Sequence, residues 1–465
     1  MKSRSVRYNF IMRSISNAAT ILVPLLVYPH VSRVLCPEGI GRVNFAQSVV
    51  YYFVMLAQLG VPTYGIRECA RLRGDRLLLE KTAGEILFIN IISCCISYAL
   101  FLACLFAIPR LREDRLLFLI MSLSIFLNSF SIEWLYGALE DYGSPAVWSL
   151  VFKLLMVAGC FLFVKTGEDV CAYGGMLVLG TAGYGAATIL FSPVKLRLNF
   201  NRKHIKPVLV FFAMSFATTI YTQMDSVMLG FMKGTLQNGY YDAAVKVKLM
   251  LVALISSMGT VLMPRAAAFL KEGDEKSFLE ISEKAFSFVF ALALPLCVYF
   301  IMYSKDAVLF LSGESFLPSV MPMRLIMPTL VFIGITNISG IQIMVPLGRE
   351  KQVLFSEIAG ALVNLVANAL LIPEYGASGA AVGTVLAELA VMAVQLYCVK
   401  DLLPGLIGAV PKGRISAALL ISAAAAALPG MTELGSFLKL LVSAAVFFGI
   451  YFGLVAPCYK EVLKK

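Results

Sequence analysis

Apolar residues run through this chain in stretches of about twenty, set apart by short breaks rich in charge, proline or glycine. A helix needs about 20 residues to cross a hydrocarbon core of about 30 Å. Taking the runs between breaks predicts fourteen helical spans, at 9–31, 42–65, 83–108, 116–138, 146–164, 173–193, 208–230, 240–263, 284–303, 322–345, 354–372, 379–398, 414–429 and 437–456. The run AVLFLSGESF after Lys305 reads as a loop. Hydrocarbon offers backbone groups no partners, so each span must be helical. The two-residue alternation of an outer-membrane barrel is absent.

Polar positions inside the spans fall into stripes. Arg13, Asn17, Thr20 and Pro24 recur at helical spacing in span 1, and Asn44, Ser48, Tyr51 and Gln58 do so in span 2. Span 7 carries Thr218, Thr222 and Asp225, and span 8 carries Asp242 and Lys246. A charge at mid-bilayer costs about 2.5–3.5 kcal/mol, so such groups face protein or water. The stripes predict a central aqueous cavity. Each has a blander alternative. Asp242 and Lys246 lie four apart and can pair with each other. Arg13 can snorkel to the interface. Arg33, Arg42, Arg67 and Arg265 sit near span ends, where interface anchoring competes with binding. Lys153 in span 5 and Arg324 in span 10 are cavity cations or partners of a carboxylate. Asp225 has no basic residue one turn away, and Glu388 lies in span 12.

Segments six spans apart repeat. At an offset of 198, Gly41 falls on Gly239, Ala46 on Ala244, Thr20 on Thr218, Arg67 on Arg265, Ala70 on Ala268, and Asn44 on Asp242. An offset of six spans preserves orientation, as in parallel transporter repeats. The expected fold class is an all-α polytopic membrane protein of about 14 transmembrane helices. Two pseudo-symmetric six-helix lobes, residues 1–193 and 208–398, would surround the cavity. The basic segment 194–207 would link them, and 399–465 would add two spans and a tail.

Composition narrows the classes. The chain of 465 residues is 59% hydrophobic and 14% charged, with mean hydropathy +0.84. No water-soluble core hides that much apolar surface, which excludes a soluble enzyme or a disordered chain. The net charge of +11 sits mostly in short loops. With the amino terminus inside, inner segments hold 25 Lys and Arg and outer segments 8. That asymmetry orients a membrane protein and places both termini in the cytoplasm. It leaves no basic domain for nucleic acid. The amino-terminal run is interrupted by Arg13, Asn17 and Pro24, so it reads as a retained span rather than a signal peptide. The ten cysteines form no CxxC pair, and His30 and His204 are the only histidines. No metal site, HExxH, GxSxG or Walker A pattern is present, so no catalytic residue or cofactor is expected. The GYG and SGA turns near Tyr184 and Ser378 read as loop or packing features.

Lysine and arginine inside the spans suit an anionic group such as phosphate. A drug exporter would favour carboxylates around a cationic ligand. An embedded glycosyl- or acyltransferase would need an acid or histidine cluster and a sizeable soluble loop, and the chain has neither.

The segment NFIMRSISNAATILVPLLVYPHVSRVLCPEGIGRVNFAQSVVYYFVMLAQLGVPTYGIRECA resembles the start of polysaccharide-biosynthesis flippases of the Wzx type. FATTIYTQMDSVMLG, NGYYDAAVKVKLM and VLMPR extend the resemblance. Their superfamily includes multidrug extruders and the lipid II flippase, the two alternatives on this fold. The resemblance implies alternating access and an undecaprenyl-diphosphate-linked oligosaccharide as cargo, moved to the outer leaflet of the bacterial cytoplasmic membrane. The product would be O-antigen, capsule or exopolysaccharide, with a polysaccharide polymerase and chain-length machinery as partners beside the lipid bilayer. Positions that match its cationic cavity residues are Arg13, Arg33, Arg42, Lys153, Lys246 and Arg324. Asn17, Asn44, Thr222 and Asp242 complete the expected substrate-binding set. Coupling to proton, sodium or membrane potential is left open, with Asp225 and Glu388 as carboxylates for it. Reporter fusions should place both termini and the 194–207 segment in the cytoplasm. A periplasmic signal from either terminus overturns that topology.

Overall fold

The computed structural model describes residues 6–430 and 435–463, and those residues form helices, turns and coil without a strand. In chain order the helices are α1 (Val6–Gln58), α2 (Val61–Ala70), α3 (Arg76–Ala107), α4 (Pro109–Arg112), α5 (Arg115–Phe130), α6 (Glu133–Ala138), α7 (Gly143–Phe163), α8 (Val170–Ala182), α9 (Tyr184–Leu190), α10 (Ile205–Met232) and α11 (Thr235–Lys271). They continue with α12 (Glu275–Met302), α13 (Ser304–Ser312), α14 (Val320–Ile326), α15 (Thr329–Thr336), α16 (Glu350–Tyr375), α17 (Ala377–Cys398), α18 (Leu403–Gly408), α19 (Lys412–Gly430) and α20 (Ser436–Leu463). The predicted spans fall mostly on helix, but 42–65 is broken at Leu59 and Gly60, 116–138 at Ser131 and Ile132, and 322–345 at Met327 and Pro328, so fewer than the fourteen expected spans stand as long unbroken helices among the described residues. Among the described residues, eight helices are long and apolar enough to cross a membrane. The count is ten if the bent pairs Val170–Ala182 with Tyr184–Leu190 and Glu314–Ile326 with Thr329–Met344 are each one span.

Local chemistry sets the breaks. The first two predicted spans share α1, which is interrupted at Cys36, where φ is 57° and ψ 176°. Pro37 follows, and its ring disfavours the helical conformation at the residue before it. A further departure lies after Lys305. The expected loop is helix α13, whose Ala307, Val308 and Leu311 are buried. Nine residues are too few to read as a span, but one turn of apolar packing suffices to hold them.

The chain forms two compact units, residues 1–239 and 240–465, so α10 belongs to the first. In the first unit α1 touches α3, α5, α7, α8 and α10. Its closest approach repeats itself. A Cβ on Gly41 would strike the Thr235 carbonyl, and a Cβ on Gly239 would strike the Pro37 carbonyl. Residues 41 and 239, and 37 and 235, are each 198 apart, the offset of the sequence repeat. The two glycines thus make one contact twice, by exchange of roles. Polar pairs line the same seam. Asn44 Nδ2 donates to Ser226 Oγ (3.2 Å) and Asn238 Oδ1 (3.1 Å), and Ser48 Oγ donates to Gln223 Oε1 (3.0 Å). Thr235 donates to Glu38, and Asn238 Nδ2 reaches the Gly41 carbonyl (3.4 Å).

The basic segment after residue 193 is pinned to α3. Glu80 faces Arg76 Nε (3.1 Å) and Arg197 Nε (3.9 Å). Glu85 is buried beside Asn201 Nδ2 (3.1 Å), Lys203 Nζ (3.5 Å) and His204 Nε2 (3.0 Å). Tyr64 Oη meets His204 Nδ1 at 2.6 Å. An ionised carboxylate only accepts, so Nε2 donates to Glu85 and Nδ1 accepts from Tyr64. A Cβ on Gly84 would collide with the Arg197 backbone, which rests against the helix there.

In the second unit, burial of the apolar window rises from 22% in α20 to 56% in α12. That makes α12 the most enclosed of these helices and α20 the most exposed. Tyrosines on α12 and α20 join them. Tyr299 Oη donates to the Leu440 carbonyl (2.8 Å), and Tyr451 Oη donates to that of Ala291 (2.9 Å). Tyr303 donates to the Ala426 carbonyl of α19.

Gly41→Val and Gly239→Val should each strip the yield of monodisperse protein severalfold on size-exclusion, because packed backbone cannot yield. Gly449→Val, with open space around its Cα, should leave that yield unchanged. Asn44→Ala leaves Ser226 and Asn238 short of a partner and should cost about 1–3 kcal/mol in detergent unfolding. Exposed Arg33→Ala should stay within about 0.5 kcal/mol.

Candidate functional site

The first unit encloses a cavity of about 550 Å³, within the usual range for small-molecule sites of about 300–1,000 Å³. Six parts of the chain build it, and α2 supplies the apolar Pro62 and Ile66. The first arm of α1 brings Ser16 and Thr20, and its end brings Gln58. The end of α5 and the following turn bring Asn128 and Ser131, α6 brings Glu133 and Trp134, and the turn after α6 brings Asp141 and Tyr142. Helix α7 contributes Ser149 and Lys153, and the α8–α9 bend contributes Thr181 and Tyr184.

Lys153 crosses from α7 to α1, where its Nζ donates to Thr20 Oγ1 (2.8 Å) and reaches the Ser16 carbonyl (3.5 Å). Thr20 Oγ1 in turn donates to the Ser16 carbonyl (3.0 Å). Glu133 opens α6, and Tyr184 Oη donates to its Oε2 (2.7 Å). Asp141 accepts from Ser144 N (3.3 Å) and Oγ (2.7 Å), which starts α7. Gln58 Nε2 reaches the Asn128 carbonyl (3.4 Å). The wall therefore presents hydroxyls, amides, two carboxylates and one ammonium. It can form hydrogen bonds in both directions. Among the described residues no group of three or more His, Cys, Asp or Glu side chains could hold a metal.

The expected binding residues scatter. Lys153 and Thr20 line the cavity. Arg13 and Asn17 belong to α1, but their side chains lie outside the described residues. Arg33 is exposed and turns back to the Pro29 carbonyl (2.6 Å). Arg42 pairs with Asp114 through Nε (2.7 Å) and Nη2. Asn44 sits in the α1–α10–α11 seam. Thr222 lies on an exposed face of α10, and Asp225, three residues on, is buried. Asp242 meets Lys246 at 3.5 Å, the pairing open to them from spacing alone. Arg324 is exposed and holds Ser304 Oγ (2.8 Å). Glu388 is buried on α17.

Tyr184 needs correction. Its GYG turn reads as a loop or packing feature with no further message, yet Tyr184 begins α9, lines the cavity and donates to Glu133. Asn128, Ser131, Ser149 and Thr181 have no stripe to mark them. They come from α5 and its following turn, α7 and α8, and only the fold brings them to one space.

The polysaccharide biosynthesis protein family model matches residues 6–270. Two relatives, from Escherichia coli (strain K12) and Shigella dysenteriae, are each named "Putative O-antigen transporter". They are 21% and 23% identical to this chain, each over 85% of it, and the match covers 97% and 100% of their own lengths. Among solved structures, the lipid II flippase MurJ in an inward closed conformation matches with TM-score 0.76 and 18% identity, over 99% of this chain and 100% of that one. An inward-facing multidrug resistance MATE family transporter of the MOP superfamily matches with TM-score 0.64 and 15% identity, over 85% and 98%. At such identities the two structures establish the fold. The family match spans more than half of the chain, which belongs to the polysaccharide biosynthesis protein family, a family of multi-pass membrane transporters and not of enzymes.

Proposed function

We propose that the protein flips undecaprenyl-diphosphate-linked oligosaccharide units from the cytoplasmic to the outer leaflet of the bacterial cytoplasmic membrane. The units would feed O-antigen, capsule or exopolysaccharide assembly. The observation that carries this is the polar cavity of the first unit, set in an otherwise apolar helical bundle. A sugar-phosphate head cannot enter hydrocarbon unaided, because each unsatisfied polar group costs several kcal/mol. A wall of hydroxyls and amides replaces its water, while the prenyl tail stays in lipid. Alternating exposure of that wall to the two sides then moves the head. Both termini face the cytoplasm in this scheme. Proton, sodium or membrane potential supplies direction, with Asp225 and Glu388 as the buried carboxylates that could take part. A polymerase and chain-length machinery receive the product.

Deletion of the gene should trap lipid-linked units in the cytoplasmic leaflet and abolish surface polymer. Lys153→Ala should cut export at least tenfold with membrane insertion intact, and Arg13→Ala and Lys246→Ala should each reduce it. Full surface polymer in the deletion strain overturns the function. Full export by a single variant removes that residue from it.

A further inference from the structure

The segment after residue 193 is strapped along the first turns of α3. Arg197 N donates to the Glu80 carbonyl (3.4 Å), and Lys195 N reaches Glu80 Oε1 (3.5 Å). The Phe200 ring meets that of Phe88, with centroids 6.3 Å apart. The strap brings a second guanidinium to an acid that already holds one. Arg76 Nε lies 3.1 Å from Glu80 Oε1, and Arg197 Nε lies 3.9 Å from Oε2. The Glu80 side chain is 6% exposed, whereas those of Arg76 and Arg197 are 68% and 65% exposed. Among the described residues only Nε of each arginine is engaged, which leaves the Nη groups at the surface. An arginine that only snorkels leaves its head free in water. A shared carboxylate instead sets these two heads side by side.

Two adjacent guanidinium groups fit a phosphate, which accepts from both. One carboxylate against the two leaves a net positive charge. Lys81 and Lys195 are exposed and add to it, while Asp75 is occupied in capping α3, where it accepts from Leu78 N (3.0 Å). A headgroup with its own ammonium would set that cation against these lysines, so an anionic headgroup is favoured over a zwitterionic one. The surface beside the cations is apolar. Leu77 and Leu78 on the first turn of α3 and Leu198 on the strap are all exposed. A soluble anion would leave these leucines in water, whereas a lipid brings phosphate and acyl chains together. Basic pockets at the cytoplasmic ends of spans hold such headgroups.

Resting on the orientation proposed above, and on nothing about the cargo, we infer that Arg76 and Arg197 form a binding site for an anionic glycerophospholipid of the cytoplasmic leaflet. Its phosphate lies between the two guanidinium groups, and its acyl chains run along Leu77, Leu78 and Leu198. Glu80 is the positioning residue. The bound lipid clasps α3 to the segment that leads into α10.

The test is native mass spectrometry of the full-length protein released from detergent, with phosphatidylglycerol, phosphatidylcholine or undecaprenyl diphosphate added at equal concentration. Phosphatidylglycerol should bind at least tenfold more tightly than phosphatidylcholine. The double variant Arg76→Gln with Arg197→Gln should bring it down to the phosphatidylcholine level. Arg71→Gln with Lys206→Gln removes two other exposed cations of the same unit and should change binding less than twofold. Glu80→Gln separates positioning from charge. It makes the surface more positive, so a diffuse attraction would strengthen lipid binding, whereas a fork without its anchor should bind severalfold more weakly. The arginines are exposed, so their double variant carries the test if Glu80→Gln does not fold. Equal retention of the two phospholipids, equal loss in the two double variants, stronger binding by Glu80→Gln, or displacement of phosphatidylglycerol by millimolar inorganic phosphate overturns the inference. Tighter retention of undecaprenyl diphosphate, lost in the same arginine variant, also overturns it and makes the pair a cargo site. A periplasmic reporter signal from 194–207 overturns the assignment to the inner leaflet. Translocation enters none of these readouts, so failure of the proposed function and failure of this site are told apart.

Discussion

Hydrocarbon gives a polar atom nothing to bond, so each one within the spans must find its partner inside the protein or in water the protein holds. The helices answer this for the backbone. The side chains answer it locally. Tyrosines on α12 and α20 give their hydroxyls to carbonyls on neighbouring helices. Asn44 closes its bonds with Asn238 and Ser226. Arg42 closes on Asp114. The hydroxyls, amides and carboxylates around Lys153 bond one another and keep further donors and acceptors turned to an open space, where water or a guest that resembles water can meet them.

Much of the fold could be read from length and period. A run of twenty apolar residues has one solution in lipid, and the predicted spans are mostly helix for that reason. The break between 31 and 42 was legible and falls at Cys36 and Pro37, whereas the helix after Lys305 escaped, since it depends on a single turn's packing. The candidate site was half legible. Lys153 stands out because a charge in an apolar run is costly wherever it lies. Glu133, inside the predicted span 116–138, stands out for the same reason, whereas Tyr184 does not, because it follows glycine in a short break. Their pairing crosses 51 residues of sequence. Stripes report which face of one helix is polar, but they cannot report which helices meet.

The segment 194–207 shows the same limit from another side. Its five Lys and Arg residues read as a solvated tether between lobes. Two buried acids on α3 attract it instead, and His204 is wholly enclosed between Glu85 and Tyr64. Removing one member of such a group leaves the others buried without compensation, which is why the group acts as a unit. The first turn of α10 is thereby fixed to α2 and α3.

The glycine contact carries a historical implication. Gly41 against residue 235 and Gly239 against residue 37 form an isologous pair, the pattern two separate copies of one segment make about a two-fold axis. In such a homodimer every substitution strikes the interface twice. Within a single polypeptide each half accepts changes independently. The glycines have stayed alike where backbones touch, while Asn44 and its counterpart Asp242 have parted chemically, one as a bridging amide and the other as an anion beside Lys246.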